Sequence, residues 1–350
     1  MKIQELAKLA NVSTATVSRV FSHYPNISDA VRERVFKIAK EYNYHPRLST
    51  KQRNIVLIIP YHSENQPHCC VEMLLMALTV TLPELGFRIE ILPMDNLERL
   101  DRIQFCAAIA IGAESKDFQH WDDRFAVPLI LLDRKSDFQS KNVFVVRSDE
   151  FQGMALAIHE LLKAGRDKIG CIIHGAPGTG NADLRYEGIQ TAFKKHDLQP
   201  TDPFIKFSSD EQYLENIGLL LQQNVNGLFC PGGNGGIIST YALNLFHKKI
   251  PEDVSLISSE QIFFSRYGIP PQTTITQNYS VLAQKAADII LDRLNNRMVQ
   301  NETIIPYLLI HRLSVSSFFS KKIKKDDVLL KHDLKNKDNR CILTADQLQE

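Results

Sequence analysis

A chain of 350 residues, 44% hydrophobic and 23% charged, has ordinary globular composition and is long enough for two or three domains, which excludes a largely disordered or collagen-like chain. No apolar run approaches the ~18 residues of a membrane span, MKIQELAKLA is amphipathic rather than a signal peptide, and six scattered cysteines (Cys69, Cys70, Cys106, Cys171, Cys230, Cys341) read as reduced thiols of a cytoplasmic protein with no membrane partner. The net charge of +1 conceals a basic head: residues 1–54 hold ten Lys/Arg against four acids, a balance of +6 that leaves −5 for the other 296 residues, so a polyanion partner is expected for the head alone.

Ile3, Leu6, Ala7 and Ala10 mark one stripe of a short helix. Asn11 tolerates the left-handed turn that follows. Ser13 caps a second helix, Thr14 to about Ser22, with Val12 packing on Val17. That helix buries Val17, Val20 and Phe21 and turns Thr14, Ala15, Ser18, Arg19 and Ser22 outward. After Tyr24-Pro25-Asn26, Ser28 caps a third helix with Val31, Val35, Ile38, Ala39 and Tyr42 on one face. Together these form an all-α helix-turn-helix, whose second helix inserts its N-terminal end into a major groove, where Arg19 can fork onto a guanine edge.

LAKLANVSTATVSRVF followed by ISDAVRERVFKIAKEYNYHP, nearly all of residues 2–46, resembles the DNA-binding head of the LacI/GalR family of bacterial transcriptional regulators. The resemblance implies a DNA-binding domain over 1–46, with Thr14, Ala15 and Arg19 reading bases and Ser13, Thr16, Ser18, Ser22 and Ser28 holding phosphates. It also implies an alanine-rich hinge helix with a leucine wedged into the minor groove. Residues 47–54 are shorter than that, and Leu48 is their one apolar candidate. With Lys51 and Arg53 the segment reads as a basic linker touching backbone phosphate, so kinking of the DNA by a wedge is expected to be weak or absent.

From Ile55 the pattern changes. IVLIIP (55–60), FRIEILP (87–93), CAAIAIG (106–112), PLILLD (128–133) and NVFVV (142–146) read as strands, with a crossover helix over Cys70–Leu85. KIGCII (168–173), NGLFC (226–230) and VSLISS (254–259) form a second series, among helices near 150–164, 184–196, 210–224, 236–248 and 280–295. Near-continuous apolar strands between helices predict parallel sheets covered on both faces. QGMALAIHELLKAGRDKIGCI, DLRYEGIQTAF, IPEDVSLISS, PPQTTITQ and LLIHRLS carry the resemblance to residue 318. They imply a periplasmic-binding-protein-like α/β body over 55–318, made of two parallel-sheet subdomains (about 55–149 plus 278–305, and about 150–277 plus 306–318) that the chain crosses three times.

HGAPGTGNAD (174–183) follows a strand as a P-loop does, but Asn181 and Ala182 stand where that motif needs its lysine and hydroxyl, so a glycine-rich loop beside a ligand is expected instead. His62, His68, Cys69 and Cys70 fit no standard metal spacing. No nucleophile elbow, HExxH or paired catalytic acids are apparent, and no enzyme, cofactor or metal is expected.

Loops at the carboxyl ends of the strands should line a small-molecule cleft. Tyr61 and His68 follow the first strand. Arg185, in R-x-x-G-x-x-x-A, matches the arginine that the resemblance aims at a ligand. Its fork suits paired hydroxyls, a carboxylate or a phosphate. Where the family has aspartates this chain has Gly233 and Glu260-Gln261, which removes acceptors for sugar hydroxyls. A carbohydrate effector, a different ligand and a degraded pocket all stay open. Residues 319–350, with no steady heptad, read as a mobile appendage, a short docking helix being the alternative. The whole reads as a sequence-specific regulator, with repression the expected direction. A homodimer, whose contacts the resemblance places on the body, the face of helix 70–85 included, would set two heads on a near-palindromic double-stranded DNA operator.

Overall fold

The computed structural model of the chain describes residues 2–21, 27–42, 44, 53–60, 69–196, 198, 204–315 and 342–343. Three helices, α1 (Ile3–Leu9), α2 (Thr14–Phe21) and α3 (Asp29–Glu41), form the head. Their apolar stripes meet in one core of Leu6, Ala7, Ala10, Val17, Val20, Phe21, Val35, Ala39 and Tyr44. Asn11 has φ 50°, the left-handed turn that separates α1 from α2. The Ser13 hydroxyl accepts from the Thr16 N–H at 3.0 Å, so it caps α2. Two expectations need correction. Ser28 sits at the N-cap of α3 but its side chain makes no capping bond, and the turn is held by its carbonyl, which accepts from Val31 and Arg32. Tyr42 lies past the helix end and is exposed. Tyr44 takes the buried place, 5.7 Å from the Phe21 ring.

The chain divides into two compact units, residues 1–147 with 279–305 and residues 148–278 with 306–350. The first contains β1 (Asn54–Ile59), α4 (Cys69–Glu84), β2 (Arg88–Pro93), β3 (Ala107–Ile111), α5 (Trp121–Arg124), β4 (Leu129–Leu132) and β5 (Val143–Ser148). A 3-10 stretch over Met94–Arg102 links β2 towards β3. Helix α11 (Tyr279–Leu294) and strand β11 (Glu302–Ile305) complete it, and the sheet order is β11-β5-β4-β3-β1-β2. The pairs β1–β2, β1–β3, β3–β4 and β4–β5 are parallel. Leucines of α4 and alanines of α11 cover one face, while Phe105, Phe118, Trp121 and Phe125 pack on the other. Burial on both faces is why these strands read as unbroken apolar runs.

The second unit repeats the pattern with α6 (Glu150–Lys163), β6 (Ile169–His174), α7 (Ala182–Lys195), β7 (Ile205–Ser208), α8 (Tyr213–Gln222), β8 (Gly227–Cys230), α9 (Gly235–Leu245), β9 (Ser255–Ser259), α10 (Ile262–Tyr267), β10 (Thr273–Thr276) and β12 (Leu308–Ile310). Its sheet runs from β13 (Ile342–Leu343) through β12, β10, β9, β8 and β6 to β7, and β12 is antiparallel to β10. Helices α6 and α7 pack on one face, α8 and α9 on the other. Strand β13 (Ile342–Leu343) adds two residues antiparallel to β12. That pair is neither a free appendage nor a docking helix; residues 316–341 and 344–350 lie outside the described residues.

Candidate nucleic-acid interface and ligand site

Helix α2 separates its residues cleanly. Val17, Val20 and Phe21 enter the head core, while Ser13, Thr14, Ala15, Ser18 and Arg19 are exposed. Thr16 is half-buried, its hydroxyl 2.9 Å from that of Ser13. Hydroxyls, a capped helix start and an arginine thus share the solvent face of α2, and Ser28 is exposed at the start of α3. Backbone amides and hydroxyls of this kind bind phosphate oxygens, and a guanidinium reads a guanine edge. Ser22 and Lys51 lie outside the described residues. Arg53, expected at backbone phosphate, has partners within the protein. It is held within the first unit, donating to the Leu85 carbonyl at the end of α4 (2.7 Å) and lying over the Phe87 ring, 5.2 Å from its centroid.

In the second unit β6 and β8 are neighbours and β7 lies beyond β6, so the strand order reverses between them. Ligands of such sheets gather at the carboxyl ends there. His174 ends β6, Asp210 follows β7, Gly232 and Gly233 follow β8, and Gln261 follows β9. Gly232 (φ +86°) and Gly233 (φ +49°) are both left-handed. A Cβ at Gly232 would lie 2.3 Å from an Arg185 Nη, and one at Gly233 2.4 Å from the His174 ring. The double glycine therefore gives its side-chain room to an arginine and an imidazole.

The surrounding loops are stitched together. The Gly232 N–H donates to the Ser259 hydroxyl (2.8 Å), Gln261 Nε2 to the Gly233 carbonyl (3.0 Å), and Asn234 Nδ2 to Asp210 Oδ2 (2.9 Å). His174 Nδ1 and Asp210 Oδ1 are 3.3 Å apart; both atoms are buried, and neither makes a hydrogen bond of good geometry. Burial pushes the imidazole below its ordinary range, outweighing the opposite pull of Asp210, and the Arg185 charge acts in the same direction as burial.

Arg185 is not a lone cation. Its Nε and Nη2 reach the Glu150 carboxylate at 3.2 and 3.4 Å. Glu150, 1% exposed, also accepts from Asn181 Nδ2 (3.0 Å) and the Tyr307 hydroxyl (3.1 Å), and Gln277 Nε2 donates to that hydroxyl (3.3 Å). Glu260, expected at a ligand, is gripped by both arms of Arg312 (2.8 and 2.9 Å) and by the Thr274 hydroxyl. In the glycine-rich loop the Gly178 N–H donates to both Asp183 oxygens at 3.0 Å, so a carboxylate of α7 itself occupies the turn where a P-loop would cradle phosphate. Burial pushes the Cys106 and Cys230 thiols up to about 12, far from a nucleophilic thiolate.

Tyr61, His62 and His68 lie outside the described residues. Among the described residues no group of three or more His, Cys, Asp or Glu could hold a metal ion. The structure thus gathers Arg185 and Gly233 with His174, Asp210, Glu150 and Gln261, the first three of which the sequence reading missed. The signal for them was position, since His174 and Asp210 end or follow strands at the reversal of strand order.

Residues 2–47 match the family model of bacterial regulatory proteins, lacI family, and residues 158–315 match that of a periplasmic binding protein-like domain. The chain is 27% identical over 318 residues to the HTH-type transcriptional repressor PurR of Haemophilus influenzae, covering 84% of this chain and 91% of that one. Two solved structures share the fold. The transcriptional regulator CelR–cellobiose complex has a TM-score of 0.67 at 20% identity, covering 90% of this chain and 99% of that chain. The Lac repressor dimer bound to operator and the anti-inducer ONPF has a TM-score of 0.63 at 19% identity, covering 91% and 99%.

Proposed function

Because the chain belongs to the LacI family of bacterial regulatory proteins, which are regulators and not enzymes, we propose that it is a cytoplasmic repressor that binds a near-palindromic double-stranded DNA operator as a homodimer and responds to a small-molecule effector, a sugar or related metabolite. The solvent face of α2 carries this reading. Its polar residues and Arg19 are exposed, while every large apolar residue of the helix is in the head core. The net charge of +6 on residues 1–54 matches a polyanion.

Exposed apolar faces support a dimer. Met76 and Val80 stand one turn apart on α4. In the second unit Ile237, Tyr241 and Leu245 run along α9, with Phe263, Tyr267 and Ile269 on and after α10. Faces of this kind mark protein–protein contact. Effector binding at the strand-end loops around Arg185 is supported by the polar groups gathered there. A second reading, a body that ignores small molecules, draws on one observation: Arg312 engages both oxygens of Glu260.

Selection of bound sequences from random duplex DNA tests the proposal. A near-palindromic motif is expected, and Arg19→Ala should relax it at one base pair per half-site at a cost of about 1–3 kcal/mol. No enrichment at modest salt would sink it.

A further inference from the structure

We propose that Asp123 is a positioning residue for DNA recognition, docking the helix-turn-helix head onto the chain's own α/β body. This rests on the operator-binding reading above. Head and body belong to the same compact unit, and two contacts join them. At the last turn of α3, Lys40 Nζ lies 3.6 Å from Asp123 Oδ1 on α5. Three residues further on, Ala126 packs against the apolar core of the head, the core that holds Leu6, Val17 and Phe21. The platform beneath is firm although α5 is short. Trp121 and Phe125, their rings 4.5 Å apart, sink into the first unit. Asp122 accepts from the Ser140 hydroxyl (2.8 Å) and the Lys141 N–H (2.9 Å), and Arg124 donates to Asp101 at 3.0 Å. Asp123 is left to face α3, with His120 Nδ1 3.5 Å from its other oxygen.

The side chains of Lys40 and Asp123 are 66% and 65% exposed, so between separate molecules such a pair would hold nothing together. The tether changes that. Tyr44 is buried in the head core, and Arg53 is fastened to the body at the Leu85 carbonyl and the Phe87 ring. Eight residues lie between them. A stretch that short spans about 30 Å at full extension. It keeps the head at an effective concentration on the order of millimolar, where one ion pair and one apolar contact suffice. The contact uses the end of α3, while Ser13, Thr14, Ala15, Ser18 and Arg19 stay exposed. Docking therefore orients the head without covering the face that reads DNA. With each head fixed to its own body, the bodies of a dimer set the distance between heads, and recognition demands one spacing of half-sites.

Two measurements on the full-length protein test this, the first without DNA. Amide exchange over residues 120–127 and the last turn of α3 reads the docked state. Asp123→Lys, at an exposed position, should speed it about two- to fivefold, the shift that an exposed ion pair supports. Adding Lys40→Asp, which restores the pair with its charges swapped, should bring protection back. Selection from random duplex DNA reads the consequence. The unaltered protein should enrich a single half-site spacing and Asp123→Lys several, around the same half-site motif. Exchange or spacing unmoved by Asp123→Lys overturns the proposal, as does a double variant that restores neither, and each of these leaves the operator reading standing. Absence of any motif for the unaltered protein sinks that reading and the positioning role with it.

Discussion

Arg53, Arg185 and Glu260 show how far a single residue can be read without its neighbours. Each is charged and sits in a segment where a nucleic acid or ligand is expected. Each is in fact joined to a partner remote in sequence: Arg53 to the Leu85 carbonyl, Arg185 to Glu150, Glu260 to Arg312. Glu150 by itself looks like an acid placed to favour a helix start, and nothing local says that it neutralises an arginine 35 residues on. His174 carries a measurable consequence. Burial lowers its proton affinity in the folded chain, as it does, together with His196, for His159. Unfolded imidazoles take up protons near 6.5 while the folded ones resist. The stability from keeping them neutral is therefore present above that value and lost as pH falls toward the folded value. Tm should drop between about pH 7.5 and 5.5, and His174→Asn should remove part of the drop; an unaltered profile would show that His174 does not titrate with unfolding.

At the level of elements, legibility followed burial. Strands covered on both faces announce themselves as apolar runs, and β1, β3 and β4 were read nearly to the residue. Strand β7 is an edge of four residues with a lysine in it, and β10 is Thr-Thr-Ile-Thr, so neither pattern stands out. The polar β10 stays buried because partners reach it from beyond β12. The Ser314 hydroxyl accepts from the Thr273 N–H at 2.8 Å, and the Thr273 hydroxyl accepts from the Arg312 N–H at 2.9 Å. Helix caps were legible where the side chain does the capping, as at Ser13, and misleading at Ser28, where the backbone does it alone. Ser13→Ala should therefore weaken α2 by about 0.5–2 kcal/mol. Faster amide exchange across α2 in the full-length protein is the readout, and unchanged exchange would deny the cap.

Across the molecule as a whole, composition located the basic head and the alternation of elements located the two α/β units, while of the exposed apolar faces only that of helix 70–85 was anticipated. Val80 belongs to the apolar pattern of α4, yet it and Met76 are exposed, at 61% and 64%. On α9 and α10 Tyr241, Phe263 and Tyr267 are likewise turned to solvent, the latter two rings 5.0 Å apart. Replacing Val80 and Phe263 together by glutamate should shift sedimentation towards the monomer and weaken operator binding, because one head makes too few contacts for tight recognition. A variant that remains a dimer would place the interface elsewhere.

The bonds around Glu150 reach beyond local charge balance. Glu150 lies three residues into the second unit after the first crossing of the chain, Gln277 is the last residue but one before the second, and Tyr307 is the second residue after the third. All three connectors are thus fastened at a common knot, and Arg185 is tied into it. A substitution that breaks the Glu150 carboxylate therefore reaches residues beside all three crossings of the chain, not one of them alone.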